Sequence, residues 1–176
     1  IMVPSCDRTL RKMLDFSYSY DGPSMVRYPR GSPNTGKENG KLELGKGIVC
    51  FEGKEVAILN FGALIDIGRI IAEFEGYTLV DMRFVKPIDE KLLEMLSLNH
   101  KLFVTLEENT VVGGAGSAVL EAVSSKNLRI ETLVIGVPDE FIEQDDPRNM
   151  RKAVKLTTDE VTKSVKKKLM QISSSD

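Results

Sequence analysis

From residue 56 onward, short and nearly continuous apolar runs alternate with stretches whose apolar residues recur every three or four positions. Val56-Ala57-Ile58-Leu59-Asn60-Phe61, bounded by Gly53 and Gly62, is such a run, followed by Tyr77–Phe84, Leu102–Leu106 and Ile130–Ile135. Strands this uniformly apolar need cover on both faces, whereas strands of a half-solvated sheet alternate apolar with polar. The connections are short. The pattern predicts an α/β fold: a mostly parallel open sheet with helices on both faces.

The intervening stretches supply the helices. Leu64, Ile67, Ile71 and Phe74, with Ile70 beside them, form one apolar stripe. Pro87 and Asp89 open a second helix that buries Leu92, Leu93, Met95 and Leu96, and Ala115 to Val123 make a third. Thr157 and Glu160 form a capping box for the last helix. Lys166, Lys167 and Lys168 are expected at its electronegative end, and residues from Ile172 on are expected to fray.

The first part of the chain is different. Asp7 caps a short helix through Leu10, Met13 and Leu14, and Gly22-Pro23 turns the chain into an expected strand, Ser24–Tyr28. One helix and one strand enclose no core, so residues 1–33 must pack on another part of a larger protein or on the second domain. Gly31–Gly40, rich in turn formers, reads as a linker. The expected organisation is a domain tail over 1–33, a linker over 34–46 and an α/β domain over 47–176. Residues 1–46 hold an excess of basic groups and the remainder an excess of acidic ones, yet the whole balances 24 Lys+Arg against 26 Asp+Glu. With 6% aromatics, that balance argues against a dedicated nucleic-acid binder. No apolar run reaches the roughly 18–20 residues of a membrane span. Two cysteines and one histidine form neither a disulfide scaffold nor a zinc-type spacing.

Chemistry-bearing candidates are few. Gly113-Gly114-Ala115-Gly116-Ser117 lies between strand and helix. The glycines let backbone amides approach an anion, let helix and sheet pack closely, or leave a bare backbone for a subunit contact. The dinucleotide spacing is not met, which favours packing. Glu107 and Glu108 end a strand on the side where open α/β sheets place their ligands. As neighbours in extended chain they point to opposite faces, so no paired-carboxylate mechanism is expected; one could cap the glycine loop or contact a neighbouring subunit. Arg27 and Arg30, around Pro29, offer two guanidinium forks: a phosphate or carboxylate clamp, or a solvated strand end. His100 reads as a surface cap, Cys6 and Cys50 as inert small residues.

Together these strings resemble one family. Tyr20–Gly31, with its Arg27-Tyr28-Pro29-Arg30-Gly31, is similar to the end of the pyrimidine-binding domain of the 1-deoxy-D-xylulose-5-phosphate synthase family, among the transketolase-like thiamine diphosphate enzymes. The resemblance continues through Gly45-Lys46-Gly47, Val56–Gly62, Leu79–Glu90, Val104–Asn109, Gly113–Ser117 and Gly136–Ile142. It implies a transketolase C-terminal domain-like fold and a transferase that condenses pyruvate with D-glyceraldehyde 3-phosphate for isoprenoid and thiamine synthesis. Thiamine diphosphate and Mg²⁺ are implied for the full-length enzyme, with none expected to bind this fragment, whose catalytic residues would lie upstream. Arg30, with Arg27 as runner-up, is implied to hold the aldehyde's phosphate. The remainder is implied to support and to dimerise, with Asp81, Arg83, Lys86, Glu107, Glu108, Gly113, Gly114 and Gly116 as candidate contacts.

One string departs from the family pattern. Ala153–Thr158 stands where a Leu-Gly-Leu step is common, so a different helix termination is expected. The competing readings are the equivalent portion of a transketolase or 2-oxo-acid dehydrogenase subunit, or a self-standing dimerisation module. A bacterial cytoplasm is the favoured compartment, a plastid-type organelle the alternative.

Overall fold

In a computed structural model describing residues 1–29 and 40–174, the chain after the linker forms a five-stranded sheet in the order β1-β3-β2-β4-β5. The strands are β1 (Ile48–Phe51), β2 (Glu55–Phe61), β3 (Thr78–Asp81), β4 (His100–Thr110) and β5 (Glu131–Val137). Pairs β2–β3, β2–β4 and β4–β5 are parallel, and β1 runs antiparallel along the β3 edge. The mostly parallel sheet expected from the apolar runs is present.

Strand alternation builds two cores. Val56 and Ile58 of β2 face α2 (Ile65–Glu75) and α6 (Thr158–Ser173), packing with Ile71, Val161 and Val165. Ala57, Leu59 and Phe61 face the other way, toward α3 (Glu90–Ser97) and α4 (Ala115–Ser125), with Leu93, Leu96 and Val119. Every residue of β2 after Glu55 is buried, which is why its sequence is continuous in apolar character.

Residues 1–29 pack on this domain. Met2 pairs in parallel with Val26 and antiparallel with Phe84, and Val3 N–H donates to the Arg83 carbonyl at 2.8 Å. Helix α1 (Asp7–Ser19) drops Met13 beside Met2 and Phe84, closed over by Phe16 and Leu42. Helix α1 and the stretch around Val26 alone could not make this core; Phe84, in the turn after β3, and Leu42 supply the rest.

Several local expectations are corrected. Ser24–Tyr28 is not a strand: only Val26 bridges, because Met2 offers a single residue of partner. The run from Tyr77 stops at Asp81, since Arg83 takes a left-handed φ of 59° and folds Phe84 N–H back on the Met82 carbonyl. Lys166, Lys167 and Lys168 lie inside α6 rather than at its end. Lys166 and Lys168 pair instead with Glu75 (2.8 Å) and Glu131 (2.7 Å), and Ile172 packs on the core instead of fraying. Phe74, expected in the buried stripe of α2, is 85% exposed, and Met95 of α3 is also largely exposed. The edge strand β1 and helix α5 (Pro147–Ala153) were not foreseen.

Removing the Met13 side chain leaves a cavity between α1, Met2 and Phe84 of the turn after β3. Met13→Ala is expected to lower the stability of the whole chain by about 2–5 kcal/mol in urea unfolding. An unchanged midpoint would show that α1 is not held by this core.

Candidate functional site

The sequence candidates gather at the carboxyl end of the parallel strands. Asp81 ends β3, Arg83 and Lys86 follow it, Glu107 and Glu108 lie near the end of β4, and the glycine loop leads into α4. Arg27 reaches the same end. Arg30 lies outside the described residues.

Glu107 is fully buried, and its carboxylate faces the first turn of α4. Oε2 accepts from Ala115 N–H at 2.8 Å and Oε1 from Gly116 N–H at 2.7 Å. These donors have no partner inside the helix, and the positive helix end favours the carboxylate. Burial nevertheless pushes the Glu107 pKa up, against the two amides and the Arg27 charge. Gly114 makes room for this arrangement: a Cβ there would collide with the Thr110 carbonyl and lie 2.7 Å from Glu107 Oε2. A Cβ on Gly116 would strike Val134 and sit 2.9 Å from Thr105 Oγ1. Close helix–sheet packing, with one glutamate capping the loop, is therefore what the glycine string serves.

Glu108 points the other way, as strand alternation requires. Its Oε1 accepts from Arg151 Nε at 2.6 Å and Nη2 at 2.5 Å, which ties helix α5 to β4. Its carbonyl accepts from Arg27 Nη1 at 2.9 Å. Arg27 is thus a strut between residues 20–29 and the sheet.

Asp81 is another buried carboxylate at this end of the sheet. Oδ2 accepts from Ser5 Oγ at 2.5 Å, and Arg83 Nε lies 3.9 Å away. Loss of hydration dominates and raises its pKa to about 6, although the Ser5 hydroxyl and the Arg83 guanidinium both oppose the rise. Arg83 also donates to the Lys41 carbonyl at 3.1 Å. The side chains of Asp81, Arg83 and Glu107 are buried within the chain, so of the candidate contacts Lys86 and Gly113 are the exposed ones. These two border one open cleft of about 470 Å³, which Ile88, Glu90, Ser117 and Glu121 also line.

His100 is structural. Its Nδ1–H donates to the Leu96 carbonyl at 2.8 Å, leaving Nε2 to accept from Thr78 Oγ1 at 2.7 Å, and Thr78 accepts from Gly53 N–H. Among the described residues no group of three or more His, Cys, Asp and Glu could hold a metal ion, and no helix is long and apolar enough to cross a membrane. The glycine loop does not fit the diphosphate of thiamine diphosphate: the Ala115 and Gly116 amides that would cradle it already hold the Glu107 carboxylate.

A mostly parallel sheet covered on both faces, with one antiparallel edge strand, places the chain among α/β proteins. The chain belongs to the family of the transketolase C-terminal domain, which it matches over residues 45–161. It is similar to 1-deoxy-D-xylulose-5-phosphate synthase of Hahella chejuensis, 42% identical over 98% of this chain and 27% of that protein. The same-named protein of Pectobacterium atrosepticum is 52% identical over 86% of this chain and 25% of its own length. The chain therefore spans about a quarter of these curated relatives. Among solved structures it resembles a split-gene transketolase determined as an inactive β4 tetramer, with a TM-score of 0.86 and 30% identity over 94% of this chain and 56% of that one.

Asp81 makes stability depend on pH. The folded state holds its proton up to about pH 6 and the unfolded chain releases it near 3.8. Its contribution is therefore complete below that lower value and is lost as pH rises through about 6, a change of about 3 kcal/mol. Asp81→Asn should flatten the stability–pH curve between pH 4 and 7 by that amount relative to the parent. Superimposable curves would show that Asp81 titrates normally.

Proposed function

We propose that this chain is the C-terminal part of a thiamine diphosphate- and Mg²⁺-dependent 1-deoxy-D-xylulose-5-phosphate synthase. That enzyme joins pyruvate to D-glyceraldehyde 3-phosphate with loss of carbon dioxide, and its product feeds isoprenoid precursors. The sequence relatives favour the synthase over a transketolase or a 2-oxo-acid dehydrogenase subunit, since the proteins matched at 42% and 52% identity carry that name. Residues 1–33 are the tail of the pyrimidine-binding domain, 34–46 the linker and 47–176 the supporting domain. The bacterial cytoplasm is its compartment.

The observation that carries the reading is the docking of residues 1–29. Met2 bridges to both Val26 and Phe84, and Arg27 grips the carbonyl of Glu108, so the sheet fixes the segment that leads directly into Arg30. With Arg27 engaged as a strut, Arg30 is the residue that takes the aldehyde's phosphate. A dianion held by a planar guanidinium fixes the acceptor's remote end and so orients its aldehyde. Lys86, Gly113 and the cleft between them meet the second subunit of a homodimer, and upstream domains of the same protein supply the catalytic and cofactor-binding residues.

In the full-length enzyme, Arg30→Ala should raise KM for the phosphorylated aldehyde roughly 10- to 100-fold, the loss expected for charge-assisted hydrogen bonds. KM for pyruvate should change little. Equal effects on both substrates would overturn the phosphate role of Arg30.

A further inference from the structure

Asn60 is fully buried near the carboxyl end of β2, and its Nδ2 donates to the Gly62 carbonyl at 2.8 Å. That bond sets the amide, because the reverse orientation would bring its oxygen against the Gly62 oxygen. Oδ1 is left as an acceptor, and it has no hydrogen-bond partner among the described residues.

Asn60 pairs in parallel register with Asp81 of β3. Such partners point to the same face from strands about 5 Å apart. Here that is the α2/α6 face, since Ile58 and Leu79, two residues earlier on each strand, lie in its core. Asp81 Oδ2 accepts from Ser5 Oγ, whereas Oδ1 is buried and has no hydrogen-bond partner among the described residues. Two side chains of equal length, each with an unpartnered acceptor, thus stand side by side. Both oxygens have lost water and gained nothing in return, which is the costly case for a polar group.

We propose that Asn60 and Asp81 form a buried proton-binding site whose occupancy sets how firmly residues 1–29 are docked on the sheet. One proton on Asp81 Oδ1 satisfies both atoms: it is donated to Asn60 Oδ1 while Oδ2 goes on accepting from Ser5. When that proton passes to solvent, Oδ1 becomes a buried anion beside a carbonyl-type oxygen. Water must then supply its donor, and admitting water loosens the Ser5 contact that ties the first segment to β3.

The surroundings agree with this assignment. Burial holds the Asp81 pKa up at about 6, and Arg83, in the turn after β3, is the charged group that most opposes it. A hydrogen bond made only by the neutral acid pushes in the same direction as burial. The other elements nearby bring charges of both signs: Asp7 and Arg8 on α1, Asp66 and Arg69 on α2, and the Lys46–Asp89 pair beside β1. Ile48, the β1 register partner of Asp81, is apolar, and Glu107 faces α4 on the opposite side of the sheet.

Amide exchange and carboxyl ¹³C NMR of the full 176-residue chain test the proposal. The amides to follow are Val3, which donates to the Arg83 carbonyl, and Arg27, which donates to the Met2 carbonyl. After correction for intrinsic exchange, their protection should fall roughly tenfold between pH 5 and 7.5, in step with the Asp81 titration. Asp81→Asn puts a permanent donor beside Asn60 Oδ1, so protection should be high and independent of pH. Asn60→Leu removes the acceptor without opening space for water, and should lower the Asp81 titration midpoint by about one pH unit. Burial alone would leave that midpoint unchanged or raise it, and either result overturns the shared proton. Should Asn60→Leu not fold, the parent decides: protection that is flat across the Asp81 titration overturns the proposal. So does protection that follows potassium concentration at fixed pH, which would assign the two oxygens to a metal cation.

Discussion

Glu107 is a carboxylate held without water where a strand, a glycine loop and a helix meet, and much of the sheet's carboxyl end follows from satisfying it. An isolated charge in that position would be heavily disfavoured, so two free amides of α4 must be brought within hydrogen-bonding reach. They reach it because Gly114 has no Cβ where the carboxylate lies, and Gly116 has none where Val134 and Thr105 press on the helix. Helix α4 is thereby locked to β4 and β5. A loop that looks like an anion cradle is filled by an anion of its own chain.

The buried carboxylate of Asp81 has a different effect. Asp81 on β3 binds Ser5, and the turn it leads into offers the Arg83 carbonyl to Val3 and the Arg83 guanidinium to the Lys41 carbonyl. Arg27 completes the attachment at β4. The ends of β3 and β4, with β2 between them, thus hold the first 29 residues and residues near 41, so the geometry of the segment entering Arg30 is set by the domain that follows it. Asp81 remains less well solvated than its partners can offset, and this strained balance sits at the junction.

The sheet was legible in the sequence because β2 and β4 are covered on both faces, which leaves Val56–Phe61 and Leu102–Leu106 almost free of polar residues. The edge strand Ile48–Phe51 was not, since four half-buried residues after Gly47 carry no periodicity. Helix α5 has no buried residue, so it has no apolar stripe; its only signal was Asp146-Pro147, with Asp146 Oδ1 accepting from Arg148 N–H at 2.9 Å. Burial of Phe74 was inferred from helical spacing, which fixes a face but cannot say how wide the covered stripe is. At the candidate site, spacing separated Glu107 from Glu108 correctly. The attachment of Asp81 to Ser5, 76 positions away, and of Arg27 to Glu108 left no local trace, because both depend on how the first residues return to the sheet.

In the proposed reading this part of the molecule supports the segment leading into Arg30, and upstream domains hold the cofactor. Isothermal titration of the purified chain with thiamine diphosphate in the presence of Mg²⁺ tests it most directly. No saturable heat is expected, because the α4 amides that could hold a diphosphate are occupied by Glu107. Saturable binding at micromolar strength would contradict it.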